Sequence, residues 1–335
     1  MIDKSALQKK VIEAFKGIVT TYRLEEAIVD PDSIGPQFRA SWEYFTNQDD
    51  KNFELYYEIK SVSRVLDLLE RLYPGQVDKK LAKRFIMDAL REWITEGKDS
   101  ANKDQLESVG MDFIKKIESA IKPTLVFLPI EGLAFNSPES LHVGNCELHK
   151  NHANSTFVQT LQQHKKRYSK AETIPENEWE ERIKSYFTCK NIAHPERAME
   201  QGIEEANLAL NILRLYMSSY YFHENNRQVV KRMGLYGSLH LHEQSRIFYI
   251  SPDEPIGEQY PGTREARVLQ NPFEINHDFV KYMLANGLDQ INQHVQPSQL
   301  ENNDISRRLL RAVTWFAKAT SAKNIADSYL MYAIG

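Results

Sequence analysis

The sequence predicts an α+β fold: a helical N-terminal domain, a small mixed β-sheet with packed helices, and the start of a C-terminal helical domain. In the first third of the chain, apolar residues recur every three to four positions, which is the helical period. After Pro123 short β-branched and aromatic runs are broken by glycine, and helical stripes return towards the C-terminus. These changes of period predict domains over 1–122, 123–295 and 296–335.

The N-terminal domain is predicted to contain four helices. The first has an apolar stripe of Leu7, Val11, Phe15, Ile18 and Tyr22. The second has a stripe of Leu55, Ile59, Val62, Leu66, Leu69 and Tyr73. The other two cover about 78–94 and 104–121, with Pro74-Gly75 and the polar stretch 97–103 as the breaks between helices.

The middle domain is predicted to combine short strands with one long helix. Strands are expected in "TLVFLP" and in the segment 130–149, and two more around 237–251. The long helix begins at Pro195, because proline suits the first turn of a helix. Its apolar stripe predicts a helix that packs across the sheet, and consists of Met199, Ile203, Ala206, Leu210, Leu213, Met217 and Tyr220.

Four features are predicted near the C-terminal end. A helix in "NPFEINHDFVKYMLANG" ends at Gly287, and the polar "QPSQLENND" that follows reads as a linker or an exposed turn. The next helix has Asp304 as its N-cap, and a last helix begins near Ser321. The residues expected to face inwards on the Asp304 helix are Ile305, Leu309, Ala312, Val313 and Phe316.

Composition and charge exclude several classes of protein. The 42 basic and 46 acidic residues give a net charge of −4, so any contact with nucleic acid must be local. The first residues are charged rather than apolar, and no run approaches the roughly 18 apolar residues of a membrane span. We therefore expect a cytoplasmic protein without a membrane contact. Cys146 and Cys189 are expected to be buried thiols, as in a reducing compartment.

A first candidate for chemistry is a metal site made of Cys146, His149 and His152, with His142 nearby. Cysteine and histidine are ligands of zinc, but a closed site needs four ligands that converge. Leu141, Val143 and Leu148 indicate a strand here, which fits that geometry poorly. The alternative is a buried cysteine with exposed histidines.

A second candidate is His240 and His242, which would share one face of a strand next to Glu243. Such a pair could act as acid and base in a stand-alone enzyme if another element supplied a further polar partner. The alternative is a solvated strand face.

Two basic clusters are candidates for contact with nucleic-acid phosphates. One contains Lys165, Lys166 and Arg167, after His164. The other lies on the polar side of the last helices and contains Arg307, Arg308 and Arg311, with Lys318. The alternative is the solvated face of an amphipathic helix. The common nucleotide-binding and hydrolase motifs are absent from the sequence, so no cofactor is expected.

The pair Glu58 and Lys60, with Asp32 upstream, matches the carboxylate and E-x-K pattern of metal-dependent nucleases. That chemistry needs the two side chains on one short strand beside a metal. Glu58 and Lys60 lie within the second predicted helix, so they would point to different faces. The pattern is therefore set aside.

Three stretches resemble bacterial proteins that carry an Apea-like HEPN domain at the C-terminus. "TLVFLPIEGLAFNSPESLHVGNCELH" resembles their sheet-forming segment, and "EEANLALNILRLY" resembles the helix that follows it. "RRLLRAVTWFAKATSAKNIADSYLMYAIG" is similar to the opening helices of the HEPN domain itself. The resemblance covers about 123–335 and rests on pattern rather than on a motif.

The resemblance implies RNA cleavage, anti-phage defence and a homodimer through the HEPN-like helices, with an RNA or a phage-derived protein as trigger. HEPN ribonucleases use a motif in which four to six residues separate an Arg from a His. The His moves the 2′-hydroxyl proton, and the Arg stabilises the phosphate. Arg214 and His223 are too far apart in the sequence for this motif, and the same is true of Arg232 and His240. No position inherits a catalytic role.

The sequence ends in the apolar stretch "SYLMYAIG". The resemblance explains this end, because the chain would stop within the second HEPN-like helix. The function expected is therefore the sensing or regulatory portion of a HEPN-type RNase, catalytically silent as given. Two alternatives stay open: a stand-alone enzyme around His240 and His242, and an interaction scaffold with an exposed patch. The aromatic candidates for that patch are Trp42, Tyr44 and Phe45.

Overall fold

The structure is a computed structural model and describes only part of the chain. The described residues are 4–18, 20–24, 38–46, 52–95, 103–137, 139–152, 155, 159, 184–220, 234–235, 237–238, 244–245, 247–250, 257–259 and 273–321. The chain forms two compact units, Met1–Lys122 with Ile192–Arg197, and Pro123–Asn191 with Ala198–Gly335. The α+β class is confirmed, because both units combine helices with strands.

The first unit contains a three-stranded antiparallel sheet. Its strands are β1 (Thr20–Leu24), β2 (Phe38–Thr46) and β3 (Asn52–Glu58), in the order β1-β3-β2. Tyr22 pairs with Leu55 between β1 and β3. The prediction of helix at these two positions is therefore wrong. In short apolar runs the helical and strand periods cannot be separated, so hydrogen bonding to a neighbouring strand decides the outcome.

The helices of the first unit are α1 (Lys4–Lys16), α2 (Ile59–Leu72), α3 (Lys79–Thr95) and α4 (Lys103–Ala120). The two predicted helices near 78–94 and 104–121 are confirmed by α3 and α4. Asp78 caps α3, because its Oδ1 accepts a hydrogen bond of 2.6 Å from the Leu81 amide. Glu58 ends β3 and Lys60 lies in the first turn of α2, so these two residues do not share the helix that was predicted.

The core of the first unit is formed by the inner faces of its helices. Phe15 of α1 and Phe113 of α4 are both buried, with ring centroids 5.2 Å apart. Residues 192–197 contribute to the same unit: the His194 amide donates a hydrogen bond of 3.0 Å to the carbonyl of Gln76. Arg84 forms an ion pair with Glu196 at 3.0 Å.

The second unit is built on a larger sheet. Its strands are β4 (Lys122–Glu131), β6 (Leu141–Val143), β7 (Cys146–Lys150), β8 (Ser185–Ala193), β9 (Gly234–Leu235), β12 (Ile247–Ile250) and β13 (Gly257–Gln259). They are arranged in the order β13-β12-β4-β8-β7-β6, and β9 also pairs with β4. Two short ladders lie outside it: β5 (Leu133–Phe135) with β14 (Phe273–Ile275), and β10 (Gly237–Ser238) with β11 (Gln244–Ser245).

Strand β8 was not predicted from the sequence. Ser185 to Cys189 are all buried, so the segment lacks the alternation of buried and exposed residues that marks a strand with one solvated face. The strand lies between β4 and β7 in the sheet. It therefore supplies a central part of the second unit.

The helices that follow are α5 (Pro195–Tyr220), α6 (His277–Ala285), α7 (Leu288–His294), α8 (Pro297–Asn302) and α9 (Asp304–Ser321). The start of α5 at Pro195 is confirmed, and most of its predicted stripe is buried. Gly202 of α5 lies so close to Val126 of β4 that a Cβ built on it would be 3.1 Å from the valine Cγ1. The absent side chain therefore permits close packing of α5 on the sheet.

Three predictions near the C-terminal end are corrected. The segment predicted as a linker contains α8, which begins at Pro297, a favoured first residue of a helix. The N-cap of α9 is Asn303 rather than Asp304, because Asn303 Oδ1 accepts the amide of Ile305 at 2.9 Å. Ile305 itself is 67% exposed rather than inward-facing. The last predicted helix, after Ser321, lies outside the described residues.

Among the described residues, no helix combines the length and the apolar character that crossing a bilayer requires. Trp42, Tyr44 and Phe45, the aromatic residues considered for an interaction patch, lie in β2. Their side chains are outside the described part of the chain, so that alternative stays a prediction.

Candidate functional site

The hairpin of β6 and β7 separates the three predicted metal ligands. Cys146 and Leu148 are buried on one face of β7, whereas Glu147 and His149 lie on the other face and are partly exposed. Because successive side chains of a strand alternate, residues three apart point to opposite faces. His152 follows the strand and is exposed. The predicted set of Cys146, His149 and His152 is therefore not brought together.

His149 belongs instead to a polar cluster on the outer face of the sheet. Its Nε2 lies 2.9 Å from Thr188 Oγ1 and 3.7 Å from a carboxylate oxygen of Glu147. Its ring stacks on Tyr186 with centroids 5.0 Å apart. Burial lowers the pKa of His149, against the opposing effect of Glu147. The imidazole is therefore neutral near pH 7 and anchors neighbouring strands.

The inner face of the same strands holds the densest group of metal-ligand atoms in the described part of the chain. Cys146 of β7, Cys189 of β8 and Glu205 of α5 place two Sγ atoms and a carboxylate oxygen within 4.8 Å of one another. Cys146 and Cys189 are 0% and 1% exposed, and neither is in a disulfide. The expectation of two buried thiols is confirmed.

Strand pairing explains how the two cysteines meet. Glu147 of β7 lies opposite Thr188 of β8 in an antiparallel register. Continuing that register by one residue sets Cys146 opposite Cys189, and directly opposed side chains share a face. The Cys189 thiol also donates a weak hydrogen bond of 3.8 Å to the Gly202 carbonyl. The close packing at Gly202 therefore brings α5 to the cysteine pair.

Polar side chains orient the carboxylate of Glu205. Asn191 Nδ2 donates to its Oε2 at 3.3 Å, and also to the carbonyl of Ala198 at 3.3 Å. Burial raises the pKa of Glu205, while hydrogen bonds from Asn191, Cys189 and Asn145 lower it. A hydrogen bond with Cys146, together with burial and the nearby Glu205, raises the pKa of Cys189 well above its ordinary value. These contacts favour the protonated form of the Cys189 thiol.

The sequence contains one signal for this group that the prediction did not use. Cys146 and Cys189 are the only cysteines in the chain. Pairing them would have required β8, which its fully buried pattern conceals. Glu205 lies within the long helix and has no distinguishing motif, so only the packing of α5 identifies it.

The structure describes one of the two predicted basic clusters. Arg307, Arg308 and Arg311 are exposed on α9, as is Lys318. Arg307 forms an ion pair with Asp304, whereas Arg308 and Arg311 have no ion pair within the described part of the chain. Lys165, Lys166 and Arg167 lie outside the described residues.

The candidate acid and base pair, His240 and His242 with Glu243, also lies outside the described residues. Short strands flank the segment at Gly237–Ser238 and Gln244–Ser245, and they pair with each other. This ladder agrees with the predicted pair of strands, while the enzyme alternative stays a prediction.

Comparisons of the chain with protein-family models, with curated proteins and with solved structures found no match.

Proposed function

We propose that this chain is a sensing or regulatory portion of a HEPN-type RNase of anti-phage defence, and that α9 gives it an RNA contact. The observation that carries the RNA contact is the basic face of α9. Arg307, Arg311 and Lys318 are spaced so that they lie along one side of the helix, with Arg308 at its edge. All four side chains are exposed.

A different side of α9 is packed. Ser306, Val313 and Ala317 are buried, and they lie about a third of a turn away from Arg307, Arg311 and Lys318. The helix therefore presents its cations to solvent rather than to the core. Clustered cations on one helix face bind phosphates by releasing counterions, without reading the bases.

An aromatic ring lies within the basic face. Lys318 Nζ is 4.8 Å from the ring centroid of Trp315, which is partly exposed. Single-stranded RNA is held by cations that contact the backbone and aromatic rings on which bases stack. Trp315 beside Arg311 and Lys318 supplies both kinds of group, so single-stranded RNA is the proposed ligand of this face.

The proposed HEPN relationship adds a regulatory role to this contact. The α9 helix lies in the stretch that resembles the opening HEPN helices, and the chain holds no Arg and His at the spacing of the family motif. The chain alone is therefore proposed to bind RNA without cleaving it. A homodimer through the HEPN-like helices and a trigger of RNA or phage-derived protein belong to the same proposal.

The RNA contact is tested by fluorescence anisotropy with a short labelled single-stranded RNA at several salt concentrations. The double variant Arg308→Glu with Arg311→Glu should bind at least about tenfold more weakly at low salt, and its log–log salt slope should fall by about 1.4, because each phosphate contact contributes about 0.7.

The matched control is Lys9→Glu with Lys80→Glu, which makes the same change in net charge at exposed positions of α1 and α3. Its affinity should stay within about twofold of the parent chain, since these residues lie outside the proposed face. Equal losses in both double variants would show only a dependence on net charge and would overturn the assignment to α9.

The HEPN assignment has a separate test in the source gene. A reading frame that continues past the codon for Gly335 and contains Arg, four to six residues, then His on a predicted helix supports it. A stop codon directly after Gly335 contradicts it. Light scattering on the purified chain tests the homodimer.

A further inference from the structure

The group formed by Cys146, Cys189 and Glu205 has the composition of a metal site rather than of a protein core. Two thiols and a carboxylate are within 4.8 Å of one another in a region where both cysteines are buried. The Glu205 carboxylate is partly buried, and its hydrogen-bond donors Asn191, Cys189 and Asn145 are neutral groups. A cation at the centre of the three groups would supply the opposite charge that these neutral donors lack.

A second observation points to the same place. Asn145 precedes Cys146, and its Oδ1 is buried with no hydrogen-bond partner among the described residues. The same side chain hydrogen bonds to Glu205. A buried amide oxygen without a partner is costly in a folded protein and marks a missing ligand or water. The unpaired oxygen thus lies on a residue that already contacts the group.

We infer that Cys146, Cys189 and Glu205 bind a zinc ion, with Asn145 Oδ1 or a water as the fourth ligand. Binding replaces the two S–H bonds by two S–Zn bonds and releases the two protons to solvent. Thiolate ligands favour zinc over magnesium or calcium, which prefer oxygen. The site does not depend on the RNA contact proposed for α9.

The geometry is compatible with tetrahedral zinc. Bonds of about 2.3 Å to sulfur and about 2.1 Å to oxygen place ligand atoms between roughly 3.4 and 3.8 Å apart. The separations in the structure are at most 4.8 Å, so small rotations of the three side chains close the site. Zinc would then link β7, β8 and α5, which is a structural role.

A disulfide between Cys146 and Cys189 explains the observations less well. It requires the two sulfur atoms to approach to about 2.05 Å, and it leaves Glu205 and Asn145 without a function. Both thiols are also fully buried, which limits access by an oxidant. The presence of a partly buried carboxylate beside the thiols favours the metal.

The site is tested with Co²⁺, which occupies zinc sites and reports thiolate ligands through a charge-transfer band in the near ultraviolet. The 335-residue chain is purified, reduced, freed of metal and titrated with Co²⁺. We expect saturation at one equivalent and displacement of the band by Zn²⁺, with two thiols protected from alkylation. Absence of the band in the reduced wild-type chain overturns the proposal, and this result needs no variant.

Variants assign the ligands. Cys189→Ala and Cys146→Ala should weaken binding by about 100-fold, and Glu205→Gln by about tenfold, since the neutral amide is a poorer ligand. The controls are Glu200→Gln, an exposed position on the same helix, and His149→Gln on the opposite face of β7. Both controls should bind like the wild type.

Folding of each variant is checked by circular dichroism before titration. A folded Glu205→Gln variant with unchanged Co²⁺ affinity would exclude the carboxylate as a ligand and contradict the three-residue site. Loss of the band in His149→Gln would place the metal on the outer face instead. RNA binding by α9 is measured in parallel, and we expect it to persist in the cysteine variants.

Discussion

Asn292 of α7 holds the turn between β6 and β7 with both ends of its side-chain amide. Its Oδ1 accepts a hydrogen bond of 2.7 Å from the Gly144 amide, and its Nδ2 donates one of 3.0 Å to the His142 carbonyl. Gly144 has a φ of +62°, which favours glycine in this turn. One side chain therefore fixes the hairpin that carries Asn145 and Cys146.

Replacing Asn292 with alanine should lower the free energy of unfolding by about 2 kcal/mol. Two hydrogen bonds are lost, and the partly buried Gly144 amide is left without its acceptor. The measurement is urea unfolding followed by fluorescence. Asn292→Asp retains the acceptor and should cost about half as much, and equal losses in the two variants would contradict the role of the Gly144 bond.

Gly202→Ala should destabilise the chain by about 1–3 kcal/mol, although alanine is the better helix former by about 1 kcal/mol. The added Cβ would meet Val126 Cγ1 at 3.1 Å and Val126 Cβ at 3.2 Å. A double-mutant cycle measures the coupling: in a Val126→Ala background, which removes Cγ1 but keeps Cβ, the same substitution should cost less than in the wild type. Additive effects would show that the two residues do not clash.

The stability of the chain should fall as the pH drops below about 6.5, in part because of His149. Burial lowers the pKa of His149 in the folded state, with His142 and Lys190 acting in the same direction and Glu147 opposing them. Below the unfolded pKa, the unfolded chain therefore binds a proton that the folded chain does not. The neutral histidine contributes its stability above that pH and loses it on acidification.

Thermal unfolding of the wild type and of His149→Gln between pH 5 and 8 checks this expectation. The substitution should remove a dependence of at most about 1.4 kcal/mol per pH unit on the acidic side. A wild-type curve that stays parallel to that of His149→Gln through this range would contradict it. His152→Gln is the control, because His152 is exposed at the end of β7.

Asn276→Ala should cost about 1 kcal/mol through the loss of a helix cap. Asn276 Oδ1 accepts a hydrogen bond of 3.0 Å from the Phe279 amide at the start of α6. Phe279 is fully buried, so fraying of this turn would disturb the core of the second unit. Asn276→Asp retains the acceptor and should unfold at nearly the wild-type urea concentration, whereas a loss equal to that of alanine would exclude the cap.

Local patterns were sufficient for the fold class and for several helices. The long stripe from Met199, the first-turn Pro195 and the capped helix at Asp78 are all readable, because helix period and end signals act over a few residues. The strands between 130 and 149 were readable for the same reason, since glycines separate them. The two buried thiols also followed from composition.

Pairing between distant segments decided the elements that local patterns left ambiguous. Asn52–Glu58 carries an apolar spacing that suits a helix and a strand alike, and pairing with β1 and β2 makes it β3. Strand β8 is buried on both faces from Ser185 to Cys189, so it has no alternation of buried and exposed residues to recognise. Such segments take their structure from hydrogen-bonding partners that are remote in sequence.

The candidate site also combines a residue that the sequence indicates with residues that only the tertiary structure brings together. The sequence made Cys146 a candidate metal ligand, but its predicted partners His149 and His152 were chosen for their nearness in the chain. On a strand, a spacing of three residues sends side chains to opposite faces. Cys189 and Glu205 reach Cys146 only because antiparallel pairing aligns β7 with β8 and the absent side chain of Gly202 allows α5 to pack closely. Those contacts join residues far apart in the sequence, and no local period encodes them.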